Sequence, residues 1–250
     1  VVGKMKAGKS SLVNAAIFAD NILPSGSQPI TVTLTEISYA ENDEVEITLL
    51  TSDDIAELNE TAAYTGDDPL LVDRAQNAKY TLEHFPEDYK KIITGNSKLN
   101  VQLSELENYV SAGGKYSGLA KLVSIKIKNE NLKGITIIDT PGFNDPISSR
   151  GETTYKCLSQ CNVILFVHNE DGYDQTDEEL LRTQIEYAGI SDMVDVFNKV
   201  DLLHMSFSEW EDQKDYLLEK RNEYIEKFSS ESNIREMAEK SEAVLTSSLM

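Results

Sequence analysis

Gly3-Lys4-Met5-Lys6-Ala7-Gly8-Lys9-Ser10 opens the chain and decides how it is read. The stretch fits G-x-x-x-x-G-K-[ST], the pattern of a loop that cradles phosphates. Glycines there let backbone N–H groups turn inward around an anion with no Cβ in the way. Lys9 would reach the outer phosphates of a nucleotide, and the Ser10 hydroxyl would ligate Mg²⁺. Lys4, Met5, Lys6 and Ala7 supply the loop between the glycines. The context is the required one, strand then loop then helix. Val1-Val2 reads as a strand end, and Ser11-Leu12-Val13-Asn14-Ala15-Ala16-Ile17-Phe18 reads as an amphipathic helix. That helix aims its positive end at the same anion.

Working outward, 250 residues with 40% hydrophobic content suit one large α/β domain, or a domain with an insertion. No apolar run approaches the ~20 residues of a membrane helix. Beginning at Val1, inside its first strand, and stopping at Met250 after a strand-like run, the sequence reads as a fragment truncated at both ends. A net charge of −20 argues against nucleic acid, because a phosphate backbone needs clustered Lys and Arg. It equally disfavours direct contact with an anionic membrane. The two cysteines, Cys157 and Cys161, lie four apart without further ligands and read as a reduced, structural pair in a cytosolic protein.

Beyond the first helix, Leu23-Pro24-Ser25-Gly26-Ser27-Gln28-Pro29 is a loop. Strands follow over Thr31–Tyr39 and Glu44–Leu50, the second with Val45, Ile47 and Leu49 on one face. Residues 52–116 are read as a largely helical insertion between the second and third core strands, with a break near Pro86. Strands resume at Leu122–Lys128 and Gly134–Asp139. Short apolar strands then alternate with helices: Val163–His168, Thr176–Ala188, Met193–Asn198, Ser208–Phe228 and Ala243–Thr246. This alternation predicts an α/β fold, a mostly parallel central sheet with helices on both faces. Ligands of such sheets bind at the carboxyl ends of strands, where the remaining motifs fall.

Ile135-Thr136-Ile137-Ile138 is one buried-strand run, and it ends in Asp139-Thr140-Pro141-Gly142. Asp139 can hold the Mg²⁺ hydration shell, and Gly142 can bring its N–H to a γ-phosphate. Asn198-Lys199-Val200-Asp201 is a guanine-reading N-K-x-D pattern. The Asp201 carboxylate accepts from guanine N1–H and the 2-amino group. Adenine has neither donor and would leave that carboxylate unpaired. Asn198 supports the loop and can reach N7, while the Lys199 stem can cover the purine. Ser247, after the last strand, is read either as part of a second base-contacting loop, as GTPases place one there, or as part of a surface Ser-rich turn.

The order of these motifs is that of the GTPase superfamily, and several details resemble the dynamin family, bacterial dynamin-like proteins above all. They are Gly8-Lys9-Ser10-Ser11-Leu12-Val13-Asn14-Ala15, Leu23-Pro24, Pro29-Ile30-Thr31 and Asp139-Thr140-Pro141-Gly142-Phe143-Asn144. A large insertion before the D-T-P-G strand is also found in such proteins. The resemblance implies a P-loop GTPase fold and a single G domain over 1–250, from a longer protein with a helical stalk. It implies GTP as substrate, GDP as product, Mg²⁺ as cofactor, and a homodimer through the G domain. It places the protein in the cytoplasm, with membrane contact only through segments outside this sequence. By the same resemblance Thr31 is the switch threonine on Mg²⁺ and the attacking water, with Thr33 and Thr35 left as strand threonines.

Two departures stand out. Dynamins carry Gln then Ser at the positions of Met5 and Lys6. Met5 has no side-chain hydrogen bond with which to orient water. Lys6 puts a fixed cation where dynamins hold a monovalent ion, and the related guanylate-binding proteins and atlastins place an arginine finger there. Lys6 is therefore read either as a charge compensating the transition state in cis or as a solvated loop lysine. Dynamins also have a base-contacting Asp near the position of His204. Asp145 and Arg150 fall in the second switch. Asp171, Asp174 and Asp177 read as a polar loop and helix cap around Thr176. The reading is thus a GTP-hydrolysing, dimerising domain for membrane remodelling or a related assembly. The alternative is a nucleotide-dependent switch or scaffold with little hydrolysis. A monomeric GTPase acting on ribosomes is disfavoured by the acidity and the insertion.

Overall fold

A computed structural model describes residues 1–4, 7–18, 23, 33–95, 97–111, 114–140, 154, 156–169, 172–173, 177, 181, 190, 192–205, 209–226 and 233–246. The chain divides into two compact units. Unit 1 holds Val1–Ala15 and Tyr155–Met250, and unit 2 holds Ala16–Thr154.

Unit 1 contains β1 (Val2–Gly3), α1 (Lys9–Val13), β7 (Val163–His168), β8 (Asp192–Phe197) and β9 (Glu242–Leu245). Unit 2 contains β2 (Leu34–Tyr39), β3 (Glu44–Leu49), β4 (Lys98–Val101), β5 (Ala120–Ile127) and β6 (Thr136–Asp139). Among the described residues, unit 1 forms a wholly parallel sheet in the order β1-β7-β8-β9. Long crossovers separate its strands, as parallel neighbours require. The strands are apolar on both faces, with Phe166, Val167 and Phe197 fully buried. The unit also holds α6 (Trp210–Ile225) and α7 (Asn233–Lys240).

The unit 2 sheet has the order β4-β3-β5-β2-β6 and is mixed. Only β2 and β5 run parallel; β2–β6, β3–β4 and β3–β5 are antiparallel. The physical cause is link length. Residues 40–43 and 128–135 are too few for a helical crossover, so the chain reverses direction across each. On β3, Val45, Ile47 and Leu49 alternate into the core as their spacing predicts.

Within residues 52–116 lie α2 (Ser52–Ala62), α3 (Pro69–Glu83), α4 (Tyr89–Gly95) and the one-turn α5 (Glu107–Val110). The break near Pro86 separates α3 from α4 as expected. The stretch also contains β4, which helical periodicity does not reveal and which exists because β3 offers it a ladder partner. Leu50, Ile55, Leu58, Ala62 and Ala78 bury one face of α2 and α3, joined by Leu82, Phe85, Tyr89 and Ile93. Among the described residues, no helix is long and apolar enough to cross a membrane.

Candidate functional site

The loop at the start of the chain is held by the strand before it and the helix after it. Gly3 pairs with Val167 in β1–β7 at a φ of 150°, and a Cβ there would sit 2.2 Å from the Val167 carbonyl oxygen. Glycine is needed for this close approach. Gly8 takes a left-handed φ of 90° just before α1, and its carbonyl accepts from the Leu12 N–H at 2.8 Å. Ser10 and Ser11 follow as the second and third residues of α1. Ala7 is buried against Val167 and Val196. The Lys9 side chain folds back, its ammonium donating to the carbonyls of Gly3 at 2.9 Å and Lys4 at 3.0 Å. Those two carbonyls place a charge inside the loop, where an incoming phosphate would compete for it.

The guanine-reading motif begins where β8 ends. Asn198 is fully buried, and its Nδ2 donates to the Ala7 carbonyl at 2.9 Å. One side chain therefore ties the two loops together within unit 1. Lys199 is the one described non-glycine residue at positive φ, 61°. That left-handed step turns the chain sharply, and Asp201 begins the second position of a 3-10 helix over Val200–Met205, which also contains the backbone of His204. The last strand closes on the same turn: Thr246 N–H donates to the Phe197 carbonyl at 2.8 Å, and Val200 N–H to the Thr246 carbonyl at 3.3 Å. Ser247 follows directly and lies outside the described residues, as do Met5, Lys6, Thr31, Gly142, Asp145 and Arg150.

In unit 2, Asp139 is fully buried as the last residue of β6. Thr33 and Thr35 are buried too. The Thr33 hydroxyl donates to the Tyr109 carbonyl at 3.5 Å and the Thr35 hydroxyl to the Thr33 carbonyl at 3.3 Å. Cys161 directs its thiol to the Cys157 carbonyl at 3.3 Å, and burial pushes that thiol's pKa up.

Sequence reasoning missed a buried polar cluster in unit 1. Asp171, Asp174 and Thr176 lie outside the described residues. Asp177, read as part of a polar loop and helix cap, is fully buried, its Oδ2 3.1 Å from Lys4 Nζ and 3.7 Å from His168 Nδ1. His168 Nε2 lies 3.1 Å from Asp195 Oδ1. Asp195 also accepts from the Tyr173 hydroxyl at 2.6 Å, Arg221 Nε at 2.8 Å and the Ser241 hydroxyl at 2.6 Å. Burial by itself raises the Asp195 pKa, but the bonds from His168, Ser241 and Tyr173 outweigh it and the carboxyl ends below its usual value. Charged residues inside the otherwise apolar runs of β7 and β8 were the available sign, since a buried charge demands a partner.

With that geometry in place, the Dynamin family model matches residues 1–200 of the chain. The chain belongs to the dynamin family. Dynamin-like protein 1 of Campylobacter jejuni is 31% identical over 205 residues, covering 81% of this chain and 27% of that relative. The bacterial dynamin-like protein of Nostoc punctiforme is 30% identical over 167 residues, covering 67% of this chain and 19% of the relative. The chain thus spans about a quarter or less of the length of these two dynamin-family relatives. A solved structure of an oligomerised bacterial dynamin pair, described as providing a mechanism for long range sensing and tethering of membranes, superposes with a TM-score of 0.73. It is 24% identical and covers 98% of this chain and 32% of that one. The fold is accordingly the α/β fold of a bacterial dynamin G domain.

Proposed function

We propose that this chain is the GTP-binding and GTP-hydrolysing G domain of a longer dynamin-family protein. Residues 52–116 are an insertion within that one domain. The observation that carries the reading is the Asn198 bond to the Ala7 carbonyl, which joins a guanine-reading loop to a phosphate-binding loop. A phosphate loop alone would serve any nucleotide; the N-K-x-D loop bound to it selects guanine. In this reading Gly3, Lys4, Met5, Lys6, Ala7, Gly8, Lys9, Ser10 and Ser11 surround the phosphates. Asn198, Lys199, Asp201 and Ser247 surround the base. Lys9, Lys6, Thr31 and the Gly142 N–H act on the γ-phosphate and its attacking water.

Ser10, Thr31 and Asp139 would hold Mg²⁺. Hydroxyl and carboxylate oxygens are the donors a hard cation takes, and a carboxylate as buried as Asp139 suits a cationic neighbour. When bound, the ion would neutralise charge on the phosphates. Turnover would move the switch segments and couple to dimerisation across the nucleotide face, and the whole protein would use this in membrane remodelling.

Met5 supports a second reading, a nucleotide-dependent switch, because it offers no side-chain hydrogen bond to a water. GTP hydrolysis per molecule, followed at rising protein concentration, separates the two. Turnover that climbs with concentration is expected for the dimerising enzyme. Flat, negligible turnover with intact GTP binding overturns hydrolysis in favour of the switch. Failure to prefer GTP over ATP overturns both.

A further inference from the structure

The His168 cluster adjoins the guanine-reading loop, since the Asn198 N–H donates to the His168 carbonyl at 2.9 Å, and it ends on the phosphate loop at Lys4. Its ring lies between two carboxylates, Asp195 at 3.1 Å from Nε2 and Asp177 at 3.7 Å from Nδ1. A neutral imidazole puts its one N–H toward only one of them; an imidazolium donates to Asp195 and sets its charge against Asp177 as an ion pair, beyond hydrogen-bond distance. Beyond those carboxylates stand two cations, Lys4 on Asp177 and Arg221 on Asp195. Phe166, Tyr173 and Phe197 close around the ring at centroid distances of 4.5, 4.2 and 5.0 Å. Every charged or titratable neighbour is thus Asp177, Asp195, Tyr173, Lys4 or Arg221 among the described residues.

The far end of this chain is anchored firmly. Arg221 on α6 also donates to the carbonyls of Ala238 and Ser241, and Ser241 donates to Asp195. Asp195 stands on β8, three residues before Asn198, which follows the end of the strand. The phosphate loop is therefore fixed to β8 at two points: Ala7 through Asn198, and Lys4 through Asp177, His168 and Asp195. Lys4 also contributes one of the carbonyls that hold the Lys9 ammonium.

We propose that His168 is a positioning residue for the nucleotide site: it orients Asp177, which holds Lys4 and with it the first turn of the phosphate loop. The inference rests on the nucleotide-binding reading above. Burial, the largest single effect on His168, opposes its charge, but Asp177 and Asp195 outweigh it and the pKa ends above 6.5. A histidine raised in this way gives its full contribution below its unfolded pKa and loses it as pH rises through the folded one. Phosphate-loop order, and GDP affinity with it, should fall across that same window on the alkaline side.

Two measurements decide the matter. Ring ¹⁵N shifts of His168 in the wild-type chain, recorded against pH without ligand, should show the ring titrating above the value for the unfolded chain; titration at or below that value overturns the proposal. GDP affinity is then measured against pH for wild type, H168Q, D177N, K4M and the double variants H168Q/K4M and D177N/K4M. Wild type should weaken by about tenfold through the ring's titration, the size of a lost charged hydrogen bond. H168Q and D177N should be weak throughout and lack that slope. In a K4M background neither should cost anything more, because the path to the loop is already cut. Additive losses would mean a purely structural histidine and overturn the proposal. If H168Q does not fold, D177N, K4M and their double variant complete the cycle. Wild type that binds no GDP overturns the nucleotide reading itself, while the ring titration still reports on the charge.

Discussion

At the residue scale, guanine selection in the proposed nucleotide site would rest on a single carboxylate. Asp201 follows the left-handed Lys199 turn at the end of β8, where its carboxylate would accept from the two donors of a guanine edge. Asp201→Ala should weaken GDP binding by about tenfold or more, the cost of leaving donors unpaired, and should narrow the preference over ADP. Competition binding with the two diphosphates checks this; an unchanged ratio would remove Asp201 from the base site. Lys6 makes a different claim, about rate. If its charge replaces a monovalent ion, wild-type hydrolysis should be equal in sodium, potassium and choline buffers, and Lys6→Ala should lose roughly a hundredfold or more in kcat. Strong cation dependence of the wild type would show that Lys6 does not fill that place.

At the element scale, helix α2 begins the helix-rich stretch 52–116, and its start is built from a reciprocal cap. The Thr51 hydroxyl accepts from the Asp54 N–H at 3.2 Å, and the Thr51 N–H donates to the Asp54 carboxylate at 2.8 Å. Asp54 is itself buried, with Lys121 of β5 at 3.5 Å. Thr51→Ala should therefore cost about 1 kcal/mol, seen as a lower urea midpoint at an unchanged slope. Nucleotide affinity should be unaltered, because Thr51 caps α2 and is none of the residues proposed to hold nucleotide or Mg²⁺. The sheets carry a second lesson at this scale. Long crossovers gave the parallel strands of unit 1, and the short links 40–43 and 128–135 gave two of the reversals of unit 2, while β4 turns back against β3 after a long helical stretch.

At the scale of the whole chain, charge is the governing quantity. A net charge of −20 sets up repulsion from any anionic surface within a Debye length, about 10 Å at 0.1 M salt. The 250-residue chain should stay in the supernatant when mixed with phosphatidylserine vesicles at low salt, with or without GTP. Co-sedimentation that strengthens as salt is lowered would place a membrane-binding surface within this domain rather than in the remainder of a longer protein.

The sequence alone carried the phosphate loop, the Asp139 and Asn198-to-Asp201 motifs, the alternation of strand and helix, and the family. These are local patterns whose meaning is set by spacing: glycines that permit a loop, apolar runs that must be covered, a carboxylate at a fixed step after a strand. It also placed most elements to within a few residues, Val163–His168 without error. What only the tertiary structure decided are the relations between distant segments. The pairing of β4 with β3 is one, since a lone strand has no periodicity of its own against helical neighbours. The burial of Asp177 is another. In sequence it is one acid among several in a polar stretch; in space it lies against Lys4 and His168. Electrostatic partners are chosen by distance and low dielectric, and neither is written along the chain.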